Sequence, residues 1–156
     1  MKFVITLLVF LGLSVNFNLV YAASGGGDTG SSLYKSGKKL VIKAKKLEEK
    51  DKIAKAEKLY LKALDKLEKA YEKDQKSADV LNYLGYSLRK TGNFEKAEKF
   101  YLKGLELDSG HLGINEYLGE LYVQTGRIKL AKERLLTLSG CNCEEYEELK
   151  ELIEKN

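Results

Sequence analysis

Residues 82–101, NYLGYSLRKTGNFEKAEKFY, and residues 116–135, EYLGELYVQTGRIKLAKERL, share their landmarks at a fixed displacement of 34. Tyr83 answers Tyr117, Leu84-Gly85 answers Leu118-Gly119, Leu88 answers Tyr122, Thr91-Gly92 answers Thr125-Gly126, and Ala97 answers Ala131. A period of this length leaves room for two helices of about a dozen residues and the turns that join them. Such a unit cannot bury its apolar face alone and must stack on its neighbours, so the repeat constrains the fold more tightly than any other feature of the chain.

The helical reading has independent support. Residues 23–156 hold 22 Leu against 12 Val, Ile and Thr together, a balance that favours helix over strand. Leu81, Leu84 and Leu88 form one apolar stripe at helical spacing, Ala97, Phe100, Tyr101 and Leu105 a second, and Tyr117, Leu118, Leu121 and Tyr122 a third. Between them lie glycine-containing breaks at Thr91-Gly92-Asn93, Asp108-Ser109-Gly110, Thr125-Gly126-Arg127 and Ser139-Gly140. Gly85 and Gly119 fall mid-helix, where glycine costs about 1 kcal/mol against alanine. Close approach of a neighbouring helix accounts for them, with Ala97 and Ala131 as the expected small surfaces opposite.

Over residues 78–139 the sequence resembles the tetratricopeptide repeat family: Leu-Gly, a large residue three later, Thr-Gly at the turn, then Ala and Tyr101 or Leu135. It departs from that pattern at Leu81 and Asn115, where the family has an aromatic, and in having no proline. The resemblance implies an all-α fold, a short solenoid of helical hairpins, and a non-enzymatic module that binds a peptide or protein segment. It also implies that the first helix of each repeat lines a concave groove. The groove positions are then Asn82, Tyr86, Arg89, Glu116 and Glu120, read as exposed residues whose truncation leaves stability almost unchanged. They do not form the two-Lys, two-Asn clamp that some members use for a C-terminal carboxylate.

Two full repeats are expected at 78–111 and 112–140, with a degenerate first repeat at 34–77. Lys69 to Asp74 echoes Lys103 to Asp108 at 34, whereas Ala56 to Lys62 echoes Ala97 to Lys103 at 41. The difference of seven implies a second helix lengthened by one heptad, from about 52 to 74, with Ile53, Ala56, Tyr60, Ala63, Leu67 and Ala70 along one stripe. Its partner helix is expected over about 34–49, carrying Leu40, Ala44 and Leu47. Three repeats reach the minimum that buries a continuous core. Residues 141–156 read as a Cys-containing turn and a capping helix, with Asn142 and Glu145 as a capping box and Tyr146, Leu149 and Ile153 as its apolar stripe.

Residues 1–22, MKFVITLLVFLGLSVNFNLVYA, have the pattern of a signal peptide cleaved after Ala22. The expected location is exported, periplasmic or secreted, with membrane contact only through this segment before cleavage. The alternative is an uncleaved anchor, since the apolar run is just long enough to span a bilayer. Residues 23–33 read as a flexible Gly/Ser leader.

Little here suggests catalysis. The single histidine, His111, follows Asp108-Ser109-Gly110 and reads as an exposed turn residue with no partner near in sequence. The glycines lack the strand-loop-helix context of a phosphate site, and no cofactor or metal is expected. A net charge of +4 is too mild for a nucleic-acid partner. Charge is nevertheless uneven: residues 35–76 carry 15 Lys against 8 acidic residues, and residues 79–156 carry 11 basic against 14 acidic. The basic half reads as the solvated face of long helices. Cys141 and Cys143 are the one chemically suggestive pair. A disulfide pinning the turn, a redox or Cu(I) role for the thiolates, and intermolecular pairing all fit two cysteines at this spacing. A thiol-dependent redox or copper-handling protein is therefore the alternative function.

Overall fold

The computed structural model describes residues 29–156, so the expected signal peptide and most of the leader lie outside the described residues. Seven helices follow in order: α1 (Gly30–Glu48), α2 (Ile53–Lys73), α3 (Ala78–Lys90), α4 (Phe94–Leu107), α5 (Leu112–Gln124), α6 (Ile128–Leu138) and α7 (Glu144–Glu154). Among the described residues there is no strand. The fold is all-α: three antiparallel hairpins, α1–α2, α3–α4 and α5–α6, stacked side by side and closed by α7.

The two kinds of helix begin differently. First helices are capped by side chains. Thr29 Oγ1 accepts from Ser32 N at 3.1 Å, Ser77 Oγ from Val80 N at 3.3 Å, and His111 Nδ1 from Ile114 N at 3.2 Å. Second helices instead follow tight turns through a left-handed residue: Asp51 at φ 55°, Gly92 at φ 80° and Gly126 at φ 72°. Thr91 and Thr125 close the preceding helices by donating to Ser87 O and Leu121 O at 3.0 and 2.8 Å.

The first helix starts at Gly30 rather than near residue 34. Thr29 caps it and Leu33 is buried, so Gly30 to Leu33 belong to the fold and not to a leader. Both arms of the first hairpin are long. α2 has 21 residues against 14 in α4, the expected extra heptad, and α1 has 19 against 13 in α3. A hairpin whose turn lies farther out needs both arms extended.

Apolar burial runs continuously through two clusters. Leu33, Val41, Ala44, Tyr60, Ala63 and Leu67 anchor the first, with Val80 and Leu84 of α3. Tyr101, Ile114, Leu118, Leu121, Leu138 and Leu149 anchor the second, and Leu64, Phe100 and Tyr117 pack against both. Asn115 replaces the family's aromatic for a visible reason. Fully buried, it donates to Ser109 O and His111 O, both at 3.1 Å, and accepts from Arg134 Nη1 at 3.2 Å, tying the inter-repeat turn to α6.

The mid-helix glycines are sites of close approach, but not to the alanines. A Cβ on Gly85 would lie 2.5 Å from the Tyr101 ring, and one on Gly119 would lie 2.5 Å from Leu149 of α7. Gly37 plays the same part in α1, where a Cβ would meet Leu67 at 2.6 Å. Ala97 and Ala131 are fully buried elsewhere in the packing.

Candidate functional site

The first helices line one face of the stack, with α3 touching α1 on one side and α5 on the other. In a solenoid of hairpins this is the face that curves inward and receives ligands. All five sequence-derived groove residues fall on α3 and α5, but four of them are buried: Asn82 at 5% exposure, Tyr86 at 4%, Arg89 at 3% and Glu116 at 2%. Glu120 alone is partly open. The expectation of exposed contact residues is therefore corrected. α3 packs against α1, α2, α4 and α5, which leaves it almost no free surface.

These residues make the floor of the face. Arg89 Nη1 pairs with Glu120 Oε2 at 2.7 Å, joining α3 to α5. Tyr86 and Tyr117 meet edge to face with centroids 4.6 Å apart, and the Arg89 guanidinium lies 5.2 Å from the Tyr86 ring. Tyr60 donates to Glu48 Oε2 at 2.9 Å, and Lys90 pairs with the same oxygen at 2.8 Å, fixing the outer end of the first hairpin to α3. Burial pushes the phenols of Tyr60, Tyr86 and Tyr117 well above their ordinary range, so all three stay neutral hydrogen-bonding groups.

Above that floor lies a strip that the sequence reading missed. Tyr34 and Tyr83 meet edge to face at 5.9 Å, and Lys38 lies over both rings at 5.9 and 5.3 Å. Farther along α1, Lys45 lies over Tyr86 and Tyr117, at 5.7 Å from each. Tyr34, Lys38, Val41 and Lys45 recur three and four apart on one helix face, which was the available signal; it was obscured by reading the basic half as solvated.

At the far end the face turns acidic. A cavity of about 110 Å³ lies between Lys45, Glu116, Tyr117 and the first turns of α7, where Glu144, Glu145 and Glu148 line it. Burial, then a hydrogen bond shared with Glu148 and the nearby charge of Glu120, hold the Glu116 carboxyl well above the ordinary carboxylate range.

The remaining candidates resolve plainly. Cys141 and Cys143 are joined in a disulfide, with Cα atoms 5.2 Å apart, across the turn before α7. In this form neither sulfur is a thiolate. The N-cap of α7 is Cys143 with no side-chain cap hydrogen bond, so the Asn142–Glu145 capping box does not form, although Glu144, Glu145 and Glu147 do occupy the first turn. His111 is not an exposed turn residue: it caps α5, and its Nε2 lies 3.6 Å from Asp79 Oδ1.

Comparison with known proteins fits this architecture. Residues 47–109 match the family model "Tetratricopeptide repeat". No curated protein sequence matches the chain. Among solved structures, the second TPR domain of human RPAP3, determined in complex with an HSP70 peptide, is similar at TM-score 0.58 and 16% identity, covering 81% of this chain and 99% of that one. The TPR domain of Arabidopsis OM64 is similar at TM-score 0.57 and 14% identity, covering 79% and 98%. The Yersinia enterocolitica secretion chaperone SycD, in complex with a peptide of the translocator YopD, is similar at TM-score 0.50 and 18% identity, covering 76% and 86%. The fold and its stacked first helices define a short helical-repeat solenoid. Residues 47–109 are similar to the tetratricopeptide repeat family, and the solved structures share the fold of the whole stack.

Proposed function

We propose that the chain is a non-enzymatic adaptor of the cell envelope that docks a peptide or protein segment along the face formed by α1, α3 and α5. The observation that carries this reading is the half-buried strip of Tyr34, Lys38, Tyr83, Lys45 and Tyr117, where aromatic area and cationic charge alternate over a fixed floor. Aromatic rings supply contact area at low entropic cost, and buried anchors carry most of an interface's energy. Asn82, Tyr86, Arg89 and Glu116 then hold the floor in shape, while Glu120 and the strip meet the ligand. Solved proteins of similar fold bind peptides, which supports the same use here.

Affinity capture from envelope extract with the full chain tests this reading. A partner retained by the native chain should be lost with Lys38→Glu and with Tyr117→Ala, and kept with Lys132→Glu on the exposed side of α6. Retention by both face variants would end the proposal. Cys141→Ser combined with Cys143→Ser should leave capture intact, because a docking role does not use the sulfurs. Export belongs to the same reading and rests on the residue pattern of 1–22. Intact-mass measurement of the protein recovered from the envelope should give an N-terminus at Ala23, whereas a mass retaining residues 1–22 would favour the anchor. No described helix is long and apolar enough to cross a membrane.

A further inference from the structure

The second helices α2 and α4 each pack on α3, and their backbones do not meet. Between them lies a groove of about 500 Å³. Leu88 of α3 lines it, together with the rings of Tyr71 and Phe100, which meet edge to face with centroids 5.8 Å apart. Lys96, Lys99 and Lys103, three and four apart on α4, form one wall, and Glu68 of α2 is the one acidic residue of the lining. The equivalent space between α4 and α6 is filled. At a displacement of 34, Leu88 is answered by Tyr122 and Asn93 by Arg127. Arg127 lies 4.6 Å from the Tyr122 ring centroid and pairs with Glu98 of α4 at 2.9 Å, bridging the two second helices. Asn93 has nearly the same backbone, φ −90° and ψ 65° against φ −94° and ψ 54°, but a side chain too short to make that bridge. The three lysines are answered by Leu130, Glu133 and Thr137. The cationic wall therefore stands only where the groove is open.

We infer that this groove binds a single-chain anionic amphiphile, a carboxylate head on an acyl chain. Its volume is that of a small-ligand site, and its lining joins apolar surface to a few charged groups of one sign. The acyl chain covers Leu88, Tyr71 and Phe100. Lysine stems lie along such apolar surface while their ammonium heads stay in water at the rim, where they meet the carboxylate. Lys99 is paired with Glu95 at 2.7 Å, and Lys103 lies 5.0 Å from the Tyr71 ring centroid and donates to its hydroxyl. Lys96 has no ion-pair partner among the described residues, which leaves its charge available to the ligand. An anionic lipid in a bilayer keeps its chains in the hydrocarbon core, so the occupant is a monomer rather than a membrane surface. The groove belongs to the second helices and the docking face to the first, so the two readings stand or fall separately.

Amide NMR titration of the full chain with laurate, kept below its micelle concentration at neutral pH, tests the site. Saturable shifts are expected at Tyr71, Leu88, Phe100 and Lys103 and not at Lys38 or Lys45. Acetate, which has the head without the chain, should give no saturable shift, and dodecyltrimethylammonium, which has the chain with the opposite charge, should bind at least about tenfold more weakly than laurate. Lys96→Ala combined with Lys103→Ala, both exposed, should weaken laurate about five- to tenfold. Lys129→Ala combined with Lys132→Ala removes the same charge from exposed positions on α6 and should leave binding unaltered. The proposal is overturned if laurate gives no saturable shift, if the shifts fall on the α1–α3–α5 face instead, or if dodecyltrimethylammonium binds as tightly. It is equally overturned if the two double variants lose the same affinity, or if phosphatidylglycerol vesicles are bound while monomeric laurate is not.

Discussion

The α3–α4 and α5–α6 hairpins carry the same glycine at the same place and use it differently. Gly85 admits the Tyr101 ring from the second helix of its own repeat. Gly119 admits Leu149 from α7, outside its repeat. The second helix explains the exchange. α6 has 11 residues where α4 has 14, and Leu135, which answers Tyr101, is only half-buried. A smaller residue on a shorter helix leaves the glycine uncovered, and α7 fills the gap. Equivalent sequence positions in a repeat therefore fix a shape to be filled, and the neighbour that fills it depends on position in the stack.

The largest expected effect comes from removing the neighbour. Deleting residues 141–156 uncovers Gly119 and exposes the surroundings of Leu149 and Ile153, which are 0% and 9% exposed in the intact fold. Burying an aliphatic side chain contributes about 1.5–3 kcal/mol, so a loss of about 3–6 kcal/mol is expected in urea unfolding followed by circular dichroism. An unchanged midpoint would show that the last repeat closes on itself.

Next comes the same small addition at both glycines. Gly85→Ala drives a methyl into a fully buried aromatic ring, whereas Gly119→Ala meets a leucine on a helix with neighbours on one side only. The first should cost about 2–3 kcal/mol and the second about 1 kcal/mol, because α7 can yield by a few tenths of an ångström. Equal costs would mean that α7 is held as rigidly as α4.

Smaller still are the turns. Gly126 has φ 72° with open space around it, so Gly126→Ala should cost about 1 kcal/mol through backbone strain alone. Asp51 occupies the same left-handed position in the first hairpin, and Asp51→Gly should raise stability by a few tenths of a kcal/mol, partly offset by the entropy that glycine adds to the unfolded chain. Matched melts of the two variants, moving in opposite directions, check the pair. Movement in the same direction would break the equivalence of the three turns.

The repeat was legible in the sequence because the two complete units keep one register of 34. The long second helix was legible because its two ends echo α4 at different displacements. The matching extension of α1 was not. Gly37 stands 48 before Gly85, which is 34 plus two heptads, and no search at a single period finds it. Ser31 and Ser32 also read as leader rather than helix, although Thr29 caps the helix before them and Leu33 is buried after them. For the site, the periodicity showed which face α3 turns toward α1 and α5. It did not show that α3 meets four other helices, and that is why Tyr86 and Arg89 are floor and not rim. The convergence of Glu116 with Glu148 joins positions 32 apart across α6, which no local pattern reveals.

The exchange of partners at Gly119 also has a bearing on synthesis. Chains fold progressively as they leave the ribosome, earlier segments first. The first hairpin, with its two long arms adjacent in sequence, has the short-range contacts that form quickly. The third hairpin cannot do the same. Until Leu149 and Ile153 have emerged, Gly119 and the surface around Leu138 face solvent, and the nascent protein carries an open apolar edge at its newest end. Chaperone contact and stalled-chain aggregation are therefore expected to concentrate in the interval between emergence of residue 138 and emergence of residue 153.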